Sequence, residues 1–184
     1  MSEKNQITRL DREISFAGSI LDFCTDTVRL PDGVIQKWDF VHHRKGRGAC
    51  IVPVLPDGRI LLVRQYRPAL GREFLELPAG GIDPEDPDAL TAAKRELAEE
   101  TGYGTADANW SFLARVNTAV AYCDEYTDLF LAKDIAPTGA GQHLDEGEAI
   151  ALAVYEPQEL LTMIREGSLT DGKTVAGILA YRAL

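Results

Sequence analysis

The sequence predicts an α/β protein with a mixed sheet, preceded by a small antiparallel β-region, and three observations lead there. Short runs of β-branched and aromatic residues flank Pro-Asp-Gly turns at Pro31-Asp32-Gly33 and Pro56-Asp57-Gly58. Beyond Pro87, strand-like runs alternate with three helical patterns bounded by Pro or Gly. A basic, glycine-containing connector, 42–48, separates the two regions. The expected organisation is therefore an N-terminal β-region over 1–45, taken as a dimerising element, and a main domain over 46–184.

Taken in order, residues 1–12 read as frayed and 14–41 as strands. The segments 28–30 and 34–41 form the arms of the first turn. Residues 49–55 and 59–66 read as a second hairpin whose apolar arms are covered on both faces. A loop holding Pro68, Pro78, Gly80 and Gly81 follows. The first helix starts near Pro87, with Asp86 as its N-cap, and stops at Gly102. Strands are expected over 110–116, 127–132 and 149–155. One helix follows Pro157 and ends at Gly167, and a last one runs from about Asp171.

The bulk properties narrow the class. Hydrophobic residues at 45% and charged residues at 26% suit a globular chain with a sizeable core. No apolar run reaches the length of a membrane span, and the first residues form no apolar signal segment. A cytoplasmic protein with no membrane partner is the expectation. A net charge of -10 disfavours a nucleic-acid partner, since like charges repel. It leaves room for a small anionic substrate where a bound divalent cation reverses the local field. Cys24, Cys50 and Cys123 are far apart and form no C-x-x-C pair, so they read as thiols in a reducing compartment.

The chemistry concentrates in Arg95-Glu96-Leu97-Ala98-Glu99-Glu100-Thr101-Gly102. Glu96, Glu99 and Glu100 stand at i, i+3 and i+4, so one helix face gathers three carboxylates. For such a cluster taken alone, a solvated acidic face is the commoner outcome. The alternative is a cation site, because magnesium prefers hard oxygen ligands and keeps several waters. The preceding loop, Leu77-Pro78-Ala79-Gly80-Gly81, lets backbone approach the same point.

Residues 80–103 resemble the Nudix box, G-x5-E-x7-R-E-U-x-E-E-x-G-U with U apolar. Arg95, Glu96, Leu97, Glu99, Glu100 and Gly102 match, and Tyr103 matches loosely. The spacing from Gly80 to Arg95 is one residue longer than the pattern, and Pro87 stands where the box has its first Glu, which leaves Glu85 or Asp86 for that role. Two further stretches, Val63-Arg64-Gln65-Tyr66-Arg67-Pro68 and Glu76-Leu77-Pro78-Ala79-Gly80, look like the branch that hydrolyses ADP-ribose and other nucleoside diphosphate sugars. So do Asp145-Glu146-Gly147-Glu148 and Asp171-Gly172-Lys173-Thr174.

The resemblance implies an α/β/α sandwich with a mixed central sheet and a magnesium-dependent pyrophosphohydrolase, with manganese as a substitute ion. It implies Glu96 and Glu100 as principal metal ligands, helped by Glu99 and the carbonyl of Ala79, with Gly80 beside the substrate. It implies a loop glutamate that orients or deprotonates the attacking water. Glu148 matches best and Glu146 is the reserve. Arg67 would contact a phosphate, against the plain reading of a surface Arg. Trp38 reads equally as core or as an aromatic stacked on adenine, with Asp39 bonding the base. A homodimer with exchanged N-terminal strands is also implied. The loop 117–125 lacks the Pro and Gly usual in ADP-ribose enzymes, which leaves other nucleotide sugars open. Rival readings are a Nudix-like module that binds a nucleotide without cutting it and a nucleoside triphosphate hydrolase. His42 and His43 read as strand-end residues, and Arg44, Lys45 and Arg47 as a solvated connector.

Overall fold

A computed structural model describes residues 6–184, which fall into two compact units. One unit is residues 6–46 together with Asn117–Glu125. Its strands β1 (Thr8–Ala17), β2 (Leu21–Arg29) and β3 (Ile35–His43) form an antiparallel sheet in that order. The frayed start expected over 1–12 is corrected from Thr8 onward, because Arg12 anchors β1 through a two-point bond to Asp26 on β2 at 2.7 and 2.8 Å. Residues 1–5 lie outside the described residues. The connector also differs from expectation. Arg44 is not simply solvated, since its guanidinium grips the buried carboxylate of Asp22 at 2.8 Å. His42 and His43 meet the segment 117–125: His42 Nδ1 lies 2.5 Å from Asp124, and the His43 N–H donates to the same carboxylate.

The second unit holds Arg47–Val116 and Tyr126–Leu184. Its elements are β4 (Arg47–Pro53), β5 (Ile60–Arg67), β6 (Arg72–Glu76), β7 (Ala79–Gly81), α1 (Ala89–Thr101), β8 (Tyr103–Gly104), β9 (Trp110–Asn117), β10 (Tyr126–Ala132), β11 (Ala136–Pro137), β12 (Ile150–Tyr155), α2 (Pro157–Glu166) and α3 (Gly172–Arg182). A mixed sheet runs β7-β4-β10-β9, with β4 and β10 parallel and β7 antiparallel to β4. A separate antiparallel sheet runs β12-β5-β6. The second hairpin expected from sequence is thus only a corner. Beyond a single bridge between Val54 and Ile60, β4 and β5 part into different sheets. The strands β6 and β7 occupy what reads in sequence as loop.

Side-chain alternation explains the layering. Ala49 and Ile51 of β4, with Phe130 and Ala132 of β10, pack with Ala92, Ala93 and Leu97 of α1. The neighbours Cys50 and Val52, with Leu129 and Leu131, join Leu160 of α2 and Ile178 of α3 in a second core. Helices therefore cover both faces of the mixed sheet, as in an α/β/α sandwich. Among the described residues no helix is long and apolar enough to cross a membrane. Leu62 on β5 lies fully buried in the second core. Leu62→Ala should lower unfolding free energy by about 2–5 kcal/mol, through lost burial and the cavity left behind. Urea denaturation followed by circular dichroism measures it.

Candidate functional site

Helix α1 is placed by its small apolar face and by its two ends. The start lies two residues later than sequence suggests: Asp88, not Asp86, is the N-cap, accepting the Thr91 N–H at 2.7 Å. Gly102 ends it in a left-handed conformation at φ 73°, donating to Ala98 O. With Ala92, Ala93 and Leu97 turned into the core, Glu96 and Glu100 share a face one turn apart. That face meets β7, which β4 holds by pairing Cys50 with Ala79 and Ala49 with Gly80. A Cβ on Gly80 would fall inside the Glu96 carboxylate, so any side chain there would push that carboxylate out of its present place. The Ala79 N–H donates to Glu100 Oε2 at 3.0 Å.

Arg95 organises the near end of the site. Its Nη1 donates to Glu96 and Glu99 at 2.8 Å each, and its Nη2 to the Gly81 carbonyl and to Asp86 at 3.0 Å. Of the two residues left open for the first box carboxylate, Asp86 engages Arg95, whereas Glu85 is exposed. The longer loop thus still delivers a carboxylate to the arginine. Glu99 turns to this same arginine, with its side chain 40% exposed.

Glu100 is only 4% exposed and Glu96 is half-buried. Burial pushes the Glu96 carboxyl up to about 7, although Arg95 pulls the other way. Burial and the neighbouring Glu96 push Glu100 up to about 8. Two carboxylates this poorly solvated suit a small hard cation. Among the described residues no three His, Cys, Asp or Glu side chains converge as a preformed metal cluster. That is compatible with magnesium, which is held by one or two carboxylates, with water and substrate phosphates completing the octahedron.

A loop brings a further carboxylate to this helix. Glu148 sits in the turn before β12, where its Oε2 accepts the Asp145 N–H at 3.2 Å. Its charge reaches both Glu96 and Glu100 and contributes to holding their carboxyls protonated. Both Glu146 and Glu148 are exposed. Sequence reasoning missed what holds this loop: His143 N–H donates to Glu99 O at 2.8 Å, and Gln142 Nε2 donates to Glu100 O at 2.6 Å. Such contacts, made to main-chain carbonyls, leave no residue pattern.

Arg67 is not a free surface arginine. Its Nε and one Nη make a two-point bond to the buried Glu76 at 2.7 Å each, and Lys173 of α3 bonds the same carboxylate. Burial acts to raise the Glu76 carboxyl, but Arg67 and Lys173 outweigh it and hold it below its ordinary value. The adjoining Leu77 N–H donates to Thr174 Oγ1 at 2.8 Å. The bend 77–79 is therefore gripped by α3 on one side and α1 on the other. Trp38 and Asp39 lie on β3 of the other unit. Trp38 is 44% exposed, so it is not core within this chain, and its Nε1 donates to Gln36. Asp39 accepts from Thr25 Oγ1 at 2.7 Å.

Several known proteins are similar to this chain. The family model for the NUDIX domain matches residues 44–176. A protein of Mycobacterium tuberculosis named ADP-ribose pyrophosphatase is 32% identical over 95% of this chain and 83% of its own. A Bacillus methanolicus protein named methanol dehydrogenase activator is 31% identical over 89% of this chain and 85% of its own. A crystal structure of an ADP compounds hydrolase superposes with a TM-score of 0.85, covering 100% of this chain and 96% of that one at 22% identity. That last likeness speaks to the fold.

The raised carboxyls fix the sign of a pH effect in the metal-free protein. Between their ordinary value of 4.5 and about 7 to 8, the folded chain retains protons that the unfolded chain has released. Stability should therefore fall as pH rises through that window. Glu100→Gln should flatten the fall and raise the melting temperature at pH 8. Unfolding in EDTA from pH 5 to 9 measures both; a Glu100→Gln curve parallel to wild type would contradict the assigned shift.

Proposed function

The chain belongs to the NUDIX family, and we propose accordingly that it hydrolyses the diphosphate bridge of a nucleoside diphosphate sugar with magnesium. ADP-ribose leads as substrate, giving AMP and ribose 5-phosphate. The observation that carries this reading is the pair of desolvated carboxylates, Glu96 and Glu100, set one turn apart beside the backbone of Ala79 and Gly80. The name of the M. tuberculosis relative supports the choice of substrate.

Glu96 and Glu100 are the principal ligands in this scheme, with Glu99 and the Ala79 carbonyl assisting. Bound magnesium ions, for which manganese can substitute, would neutralise the diphosphate and lower the pKa of the attacking water. Glu148 then accepts a proton from that water, which attacks one phosphorus as the bridging P–O bond breaks. Arg67, with one Nη beyond its two-point bond to Glu76, stands ready for a phosphate oxygen. Trp38 stacks on the base and Asp39 bonds it. The exposed Leu10, Ile14, Phe16 and Ile35 on the three-stranded sheet support a homodimer. The free cysteines are in keeping with the cytoplasm.

The rival reading is nucleotide binding without turnover; the B. methanolicus relative is named an activator of a dehydrogenase, not a pyrophosphatase. A panel of ADP-ribose, other nucleotide sugars, NADH, diadenosine polyphosphates and nucleoside triphosphates with magnesium separates the two. AMP should accumulate from ADP-ribose, and binding without product would favour the second reading. Glu100→Gln should cut turnover by several orders of magnitude. Glu148→Gln should lower kcat about 10²–10⁴-fold while magnesium affinity stays near wild type. If Glu146→Gln does so instead, the base is the neighbouring glutamate.

A further inference from the structure

The segment carrying Glu148 is closed at its base by one side chain. Gln142 has two amide hydrogens, and the two carbonyls they reach belong to different elements. One is Glu100 O on the last turn of α1, at 2.6 Å; the other is Ile150 O on the first residue of β12, at 3.2 Å. The residue after it, His143, donates its N–H to Glu99 O at 2.8 Å. Just before, Thr138 bonds Gly102 O through both its N–H and its hydroxyl. Together these groups occupy carbonyls at the end of α1 that the helix itself leaves without donors.

The consequence is geometric. Residues 142 and 150 are pinned to each other and to the main chain of Glu99 and Glu100. Glu148 lies two residues before the pinned end, on a turn whose remaining ties are local, between Asp145 and Glu148. The loop's position over the helix thus depends on its base. We propose that Gln142 is a positioning residue: it latches the loop 143–149 to the carboxylate-bearing turn of α1 and so sets where Glu148 stands relative to Glu96 and Glu100. Gln142 has no contact with reacting groups in this scheme and acts through Glu148. The inference rests on the proposed hydrolase reading for its kinetic consequence, but the latch is a property of the metal-free chain.

Two measurements test it. In metal-free protein, Gln142→Ala should speed amide hydrogen exchange across 144–149 at least tenfold while the interior of α1 exchanges as in wild type. Gln142→Glu keeps the length of the side chain but loses both donors, and should do the same. With magnesium and ADP-ribose, Gln142→Ala should lower kcat about 10- to 100-fold with little change in KM, the scale expected when a reacting group is misplaced by about 1 Å. In a Glu148→Gln background the same substitution should cost nothing further, since the group it positions is already gone. Unchanged exchange in both variants overturns the latch. Equal losses of kcat in the two backgrounds overturn the link to Glu148. A wild-type protein inactive on every diphosphate compound would refute the hydrolase reading instead, and the exchange experiment would still decide the latch.

Discussion

The Glu96 carboxylate lies where a Cβ on Gly80 would stand, and one turn further along Glu100 accepts a hydrogen bond from Ala79. Much of the larger unit serves that approach. β4 fixes β7 by pairing and α1 by its apolar residues, so both partners are referred to one strand. α3 grips the same bend from its other side, through Thr174 on Leu77 and Lys173 on Glu76. Two carboxylates are held in a place where water cannot fully solvate them. That is unfavourable for the empty protein, and the rest of the core must offset it.

Arginines divide the labour around this point. Arg95 spans the helix and the loop before it, so a single guanidinium ties Gly81, Asp86, Glu96 and Glu99 together. Arg67 does its structural work on the opposite side, where Glu76 and Lys173 complete a half-buried ionic knot. Breaking one partner of such a knot leaves an uncompensated charge, which is costlier than never having made the pair. Arg67 therefore has a structural role whatever it does for a substrate.

Much of this was legible in the residues. The helix was readable because Ala92, Ala93 and Leu97 recur at helical spacing and Gly102 ends the run; the same spacing gathered the glutamates. Its start was misread because Asp83, Asp86 and Asp88 crowd around two prolines, and only the direction of the chain decides which carboxylate faces a free N–H. The apolar runs of β4 and β5 announced burial on both faces but not that they enter different sheets, since burial does not encode partners. β6 was hidden: Arg72-Glu73-Phe74-Leu75-Glu76 is short and mostly charged, and Glu76 makes sense there only once it is seen beneath Arg67. The latch at Gln142 was invisible for a related reason, as a side chain seeking backbone carbonyls has no partner residue type to search for.

The parallel pairing of β4 with β10 has a consequence for how the protein comes into being. Arg47 is matched with Tyr126 and Pro53 with Ala132, and α1 lies between them along the chain. During synthesis the acidic helix emerges well before the second of its two floor strands exists. Pairings so distant in sequence are slow to form, because loop closure must precede any gain from contact. The nascent chain thus leaves the apolar residues of β4, Ile51 among them, without their β10 partners until late, and it is in that interval, rather than in the finished molecule, that chaperones and proteases have their opening.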